Sequence, residues 1–155
     1  MCGIAGIVNF SGPIEHCFQD AVKNMCSSMA YRGPDGEGFE VLNSAILGHR
    51  RLAIIDLSFA GKQPMTNENK TIWLTYNGEI YNHKALKAEL IKEGHCFKSR
   101  TDTEVILHGY EEWGIDRLLL RLRGMFAFGL LDTNKHVLWL IRDHLGIKPL
   151  FYISD

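Results

Sequence analysis

A cysteine follows the initiating methionine in Met1-Cys2-Gly3-Ile4-Ala5-Gly6. Its side chain is small enough for the ordinary aminopeptidase to remove Met1, which would leave Cys2 with a thiol and a free α-amine. The thiol is a nucleophile, and the amine, with an unperturbed pKa of about 7.7–8.0, is a base near neutral pH. One residue would then supply two of the parts that covalent catalysis requires. Further polar groups stand out from the apolar framework in three runs: His49-Arg50-Arg51-Leu52, Tyr76-Asn77-Gly78-Glu79-Ile80-Tyr81-Asn82 and Arg100-Thr101-Asp102-Thr103-Glu104. Each falls at the end of an expected element, where side chains can converge on a pocket.

Taken singly, these residues have plainer readings. Cys2 could be a buried strand-end cysteine and Arg51 an ion-paired surface arginine. Asn77-Gly78 is a common hairpin dipeptide, and Asp102 is a simple helix cap. The histidines show no ligand spacing, so His49, His108 and His144 read as structural. Trp73, Trp113 and Trp139 read as core. Arg142-Asp143 reads as fold support through a salt bridge.

The elements that must position these groups follow from periodicity. Gly3–Phe10 reads as a strand ended by Gly12-Pro13. His16–Ala30 reads as a helix with Phe18, Ala21, Val22, Met25 and Met29 on one face. Arg32-Gly33-Pro34-Asp35-Gly36 is a turn-rich loop. Strands are expected at Gly38–Leu42 and Ala45–Arg51, then a long polar connection from Ser58 to Lys70. A strand at Ile72–Tyr76 should run into Asn77-Gly78. Asn82 is expected to cap a helix ending near Gly94. Asp102 is expected to cap another, closed by Gly114 and followed by a short helical stretch, Ile115–Arg121. Met125–Leu131 and Val137–Ile141 are apolar almost throughout, which implies strands covered on both faces. Strands, helices, then strands indicate an α+β layered domain.

Composition bounds the remaining possibilities. The chain has 155 residues, with 17 Lys and Arg against 18 Asp and Glu, so neither a nucleic-acid tract nor an anionic-membrane patch is expected. Apolar runs are too short to span a bilayer, and no signal peptide is recognisable. None of the four cysteines, Cys2, Cys17, Cys26 and Cys96, sits in a C-x-x-C pair. A cytoplasmic protein with reduced cysteines is expected, with Cys17 and Cys26 in a helix and Cys96 beginning a short strand.

Together with Cys2-Gly3-Ile4, the segments Arg32-Gly33-Pro34-Asp35, Arg51-Leu52-Ala53-Ile54-Ile55-Asp56-Leu57, Asn77-Gly78-Glu79-Ile80-Tyr81-Asn82 and Arg142-Asp143-His144-Leu145-Gly146-Ile147-Lys148-Pro149-Leu150 resemble the glutaminase domain of glutamine-dependent asparagine synthetases. That domain belongs to the class II glutamine amidotransferases, which are N-terminal-nucleophile hydrolases. The resemblance covers essentially the whole chain. It implies a four-layer αββα sandwich over residues 1–155, cut short at its C-terminal end and lacking the ATP-binding synthetase domain.

It further implies that Cys2 attacks the side-chain amide of glutamine, with Asn77 and Gly78 holding the oxyanion. Arg51 would grip the α-carboxylate, for which a planar fork is suited. Glu79 and Asp102 would face the α-ammonium, and backbone groups of Leu52, Ala53, Ile54 and Ile55 would line the pocket. No cofactor is expected here; ATP and Mg belong to the absent synthetase domain. Expected partners are L-glutamine, that synthetase domain and a second copy in a homodimer, with no nucleic acid and no membrane. Two functional alternatives stay open: the same domain serving a sugar, peptide or antibiotic-precursor acceptor, and a non-catalytic glutamine-binding regulatory domain. A self-processing hydrolase would require a propeptide where only Met1 stands.

Overall fold

The structure, a computed structural model, describes residues 1–154. Strands β1 (Gly3–Val8), β2 (Gly36–Val41) and β3 (Ala45–Arg51) form an antiparallel sheet in the order β1-β3-β2. Strands β4 (Met65–Thr66), β5 (Ile72–Ile80), β6 (Gly124–Asp132) and β7 (Val137–Arg142) form a second in the order β4-β5-β6-β7. The helices are α1 (Cys17–Ser28), α2 (His83–Lys92) and α3 (Glu104–Arg121).

Side-chain alternation along the strands builds the layers. In β3, Ala45 and Leu47 pack against Trp73 and Leu131 of the other sheet, with Val8, Leu42 and Leu138 at the margin. The intervening Ile46 packs with Val22 and Cys26 of α1. In the second sheet, Leu74, Tyr76 and Ile80 of β5 join Phe126, Phe128 and Leu130 of β6 beneath α2 and α3. Leu86, Leu90, Ile106, Tyr110 and Leu118 close that core from the helical side. The order is helix, sheet, sheet, helix, the four-layer αββα sandwich expected from the sequence. His49 is wholly buried between the sheets with Nδ1 3.2 Å from Thr75 Oγ1. Burial, aided by Arg51, drives its pKa down to about 3, so it is a neutral structural group.

Several local expectations are corrected. Asn77-Gly78 is no turn: β5 continues through it to Ile80, opposite Ala127 and Phe126. Asp102 does not cap α3, which is preceded by Thr103; its carboxylate is spent elsewhere. Asn82 precedes α2 without a side-chain capping bond, because its side chain bridges to Arg121 O and Arg123 N. The buried face of α1 is Val22 and Cys26, while Phe18 and Met25 are exposed. Cys96 lies in an irregular segment rather than a strand. Gly114, with φ of 72° and ψ of 173°, is non-helical and divides α3 into two helical stretches, as expected from the sequence. Strand β7 is only partly covered, so the reading of both faces as buried holds for β6 alone. Asp143 supports the fold as expected, but through the backbone N–H groups of Phe126, Leu145, Ile147 and Lys148 rather than through a salt bridge.

The closeness of α1 to its sheet depends on Gly48. A Cβ there would overlap Cys26 Sγ and stand 3.0 Å from Val22 Cγ1. Gly48→Ala is therefore expected to destabilise the chain by about 1–3 kcal/mol, the cost of overpacking. In urea denaturation, the Gly48→Ala, Cys26→Ala pair should fall short of the sum of its single variants by more than about 0.5 kcal/mol. Strict additivity would show that the helix sits farther off than the geometry indicates.

Candidate active site

Cys2 stands at the head of β1, and the β1–β3 pairing brings it beside Leu52, just past the end of β3. The Leu52 N–H donates to Cys2 Sγ at 3.4 Å, and the thiol lies 3.8 Å from Leu52 O. Arg32 Nε donates to the Cys2 carbonyl at 3.2 Å. Burial pushes the thiol pKa up, against the opposing pull of the Leu52 N–H, the chain-terminal ammonium and Arg51. Asp102 adds to the rise. Cys2 is thus a protonated thiol at neutral pH, and service as a nucleophile would require a base. With Met1 in place its own nitrogen is an amide. Met1 Sδ lies 3.3 Å from Lys148 Nζ at the edge of the site.

The thiol opens into a cavity of about 200 Å³. The end of β3 supplies Arg51 and the segment after it Leu52, Ala53, Ile54 and Ile55; β5 supplies Asn77, Gly78 and Glu79; the lead-in to α3 supplies Asp102. All the site residues expected from the sequence therefore meet at one cavity. Asn77 and Asp102 are buried there, whereas Glu79 is exposed. Glycine at position 78 is demanded by the neighbouring strand, because a Cβ would stand 2.7 Å from Phe126 Cα.

Arg51 is held before any ligand arrives. Its Nη1 donates to Ser58 O at 2.9 Å and its Nη2 to Asp56 O. Gly61 leaves room for the guanidinium, since any Cβ there would overlap Arg51 Nη2. The Asp56 carboxylate accepts from the N–H groups of Ser58 and Arg100, each at 2.9 Å, and so latches one wall of the cavity to the other. Hydrogen bonds from Ser58 and the Arg100 N–H hold its pKa at about 2.

Asp102 Oδ2 accepts from Tyr76 OH at 2.6 Å and from Ile80 N–H at 2.8 Å. Burial and the adjacent Asp102 charge raise the Tyr76 pKa, so the phenol keeps the proton it donates. Gln63 Oε1 takes the Tyr76 N–H at 2.7 Å, and Gln63 Nε2 lies 3.4 Å from Thr103 Oγ1. Sequence reasoning missed Gly61 and Gln63, which lie in a stretch read only as a polar connection, and gave no role to Asp56, which it quoted only as part of the segment Arg51–Leu57. It noted Tyr76 merely as a flanking residue. Gly61 and Pro64 were the available signals, but neither spacing nor type shows a partner that is distant in sequence.

The αββα layering, with a cysteine at the head of the first strand and facing a cavity, defines an N-terminal-nucleophile hydrolase fold. The chain belongs to the glutamine amidotransferase domain family, whose model matches residues 1–155. It is 45% identical over 153 residues to glutamine-hydrolysing asparagine synthetase 2 of Bacillus subtilis (strain 168), covering 98% of this chain and 20% of that protein. It is 43% identical over 155 residues to asparagine synthetase B of Escherichia coli (strain K12), covering 100% of this chain and 27% of that protein. Among solved structures it resembles the glutamine phosphoribosylpyrophosphate amidotransferase of B. subtilis in complex with ADP and GMP. That match has a TM-score of 0.51 and 27% identity, over 60% of this chain and 22% of the other. The chain thus spans about a fifth to a quarter of the length of the curated relatives it matches.

The Asp56 latch has a signed pH dependence. Its carboxylate pKa is depressed when folded, so its contribution is complete above the unfolded value of about 3.9 and is lost as pH falls through about 2. Asp56→Asn should flatten that acid limb in denaturation curves taken between pH 2 and 5. An unchanged limb would remove Asp56 from the latch.

Proposed function

We propose that this chain hydrolyses L-glutamine to glutamate and ammonia through a γ-glutamyl thioester on Cys2. The observation that carries the reading is the convergence of the Cys2 thiol, the Arg51 guanidinium, the Asn77-Gly78 pair and the Asp102 carboxylate on one cavity sized for a small amino acid. Glutamine presents an amide, a carboxylate and an ammonium, and each has a complementary group here. The exposed Glu79 offers a second carboxylate to the ammonium.

The steps follow from the groups present. Once Met1 is removed, the Cys2 α-amine, directly or through a water, takes the thiol proton as sulfur attacks the amide carbon. The Asn77 side-chain amide and the Gly78 N–H hold the oxyanion. The α-ammonium so formed protonates the departing nitrogen, which leaves as ammonia. Water then attacks the thioester, frees glutamate and returns the thiol. Arg51 holds the α-carboxylate as a bidentate fork, and backbone groups of Leu52 to Ile55 wall the pocket.

The wider reading is asparagine synthesis. In the full-length protein, residues 1–155 form the glutaminase domain, and ammonia passes to a synthetase domain where ATP and Mg activate aspartate. Support comes from the identities of 40–45% to asparagine synthetases across nearly the whole chain. Leu145, Phe151, Tyr152 and Ile153 are strongly exposed, an apolar surface suited to such a neighbour. A homodimer in the cytoplasm, where the free cysteines stay reduced, completes the proposal. No helix among the described residues is long and apolar enough to cross a membrane.

The testing experiment is intact mass with and without a glutamine-mimicking diazoketone. A single adduct on Cys2 of the Met1-free chain, prevented by glutamine, is expected. A Met1-free chain that takes no adduct would defeat the reading. Cys2→Ala and forms retaining Met1 should release no ammonia from glutamine. Asn77→Ala should lower kcat about 10²–10³-fold, the cost of one oxyanion donor. Arg51→Ala should raise KM for glutamine about 10–100-fold, in line with loss of a charged hydrogen bond. An unchanged KM would take Arg51 out of the site.

A further inference from the structure

Away from the catalytic cavity, two histidines and a glutamate converge at the junction of α2 and α3. His95 Nδ1 and His108 Nδ1 are 3.2 Å apart. Glu111 Oε2 lies 3.1 Å from His108 Nδ1 and 4.0 Å from His95 Nδ1. A tetrahedral zinc with bonds of about 2.0–2.1 Å separates its ligand atoms by about 3.3 Å. The three atoms therefore already stand near the corners of one face of such a tetrahedron.

The surroundings orient these ligands. His95 Nε2 lies 3.1 Å from Glu112 Oε2, and His108 Nε2 lies 3.7 Å from Glu104 Oε1. With a ring hydrogen on each Nε2, facing its neighbouring carboxylate, both Nδ1 atoms would be free to ligate an ion that displaces the proton of the cluster. Asn67 Nδ2 donates to Glu111 Oε1 at 2.8 Å, which leaves Oε2 for the cluster. Two imidazole nitrogens and a carboxylate oxygen thus lie within 3.1–4.0 Å of one another, a gap that either a shared proton or a metal ion can fill. The backbone is fixed as well: α2 ends with Gly94 at φ of 101° and a bond from His95 N–H to Leu90 O, a Schellman-type closure. His108 and Glu111 sit at i and i+3 on α3. His108 is buried and Glu111 is exposed, so one side of the cluster is open to an entering ion and a water ligand.

We propose that His95, His108 and Glu111 form a binding site for a divalent transition-metal ion of the zinc type, with Glu104, Glu112 and Asn67 as its outer supports. Two imidazoles and one carboxylate select zinc and its first-row neighbours over magnesium or calcium. The ion would join the end of α2 to α3 and so brace residues 95–104, the segment that carries Asp102 into the catalytic cavity. The site takes no part in the glutamine chemistry.

The test is a titration of the 155-residue chain with zinc chloride, followed by calorimetry and thermal unfolding. One ion per chain and a rise in Tm are expected. His95→Ala and Glu111→Gln alter side chains at the open edge, where folding should survive. Each should weaken binding by at least about tenfold, the scale at which even outer-sphere changes act. Cobalt in place of zinc should give a d–d spectrum without thiolate charge transfer, because none of the cysteines belongs to the set. No binding at millimolar zinc, equal affinity in both variants, or a thiolate band would each overturn the assignment. The first result would mean that a proton, not a metal, joins the cluster.

Discussion

A carboxylate taken out of water must be met by donors, and the site is built around that requirement at Asp102. Asp102 is only 5% exposed. Its Oδ2 receives a phenol from Tyr76 and a backbone amide from Ile80, and these residues flank Asn77, Gly78 and Glu79 on β5. Leaving either donor unmet would cost about 1–3 kcal/mol. The bonds therefore fix the lead-in of α3 against the strand that carries the candidate oxyanion groups. Both of these donors fall on Oδ2, and in the proposed reaction Oδ1 would meet the substrate ammonium.

Arg51 follows the same logic with the opposite charge. Its guanidinium is tethered by the carbonyls of Ser58 and Asp56, and Gly61 provides its space. The Asp56 side chain then accepts the Arg100 N–H, two residues before Asp102. The cationic and anionic ends of the cavity are thus held by one continuous set of bonds. Pre-ordering of this kind lowers the entropy that the site's side chains must lose when a small ligand binds.

Much of this was legible in the sequence, and the omissions have physical causes. Strands β6 and β7 announced themselves through apolar runs, and the positions of Cys2, Arg51 and Asp102 followed from family-like segments. Asn77-Gly78 misled because its local preference is a turn. Here pairing with β6 overrides that preference, and Gly78 is required by the close approach of Phe126. Asp102 looked like a cap because Asp at such a position ordinarily bonds forward into the helix; instead it bonds across to β5. The face of α1 was misjudged because Gly48 lets Cys26 approach the sheet, and that fact lives on another element. His95 and His108 lie 13 positions apart, a separation with no ligand signature; only the bend between α2 and α3 brings them together.

The elevated thiol pKa of Cys2 assigns different tasks to the fold and to the chain terminus. Burial keeps the proton on sulfur, so the cavity alone does not supply a thiolate. His49 cannot act as the base: it is neutral and enclosed between the sheets, with Nδ1 turned to Thr75. Tyr76 is committed to Asp102 as a donor. Among these neighbours, none offers a base of suitable pKa, and the group that can is the α-amine of Cys2 itself. That amine becomes available only when the Met1–Cys2 peptide bond is cut. Asn77, Gly78, Arg51 and Asp102 are in place while Met1 is attached, so under the proposed reaction one cleavage would convert an assembled but baseless pocket into a competent one.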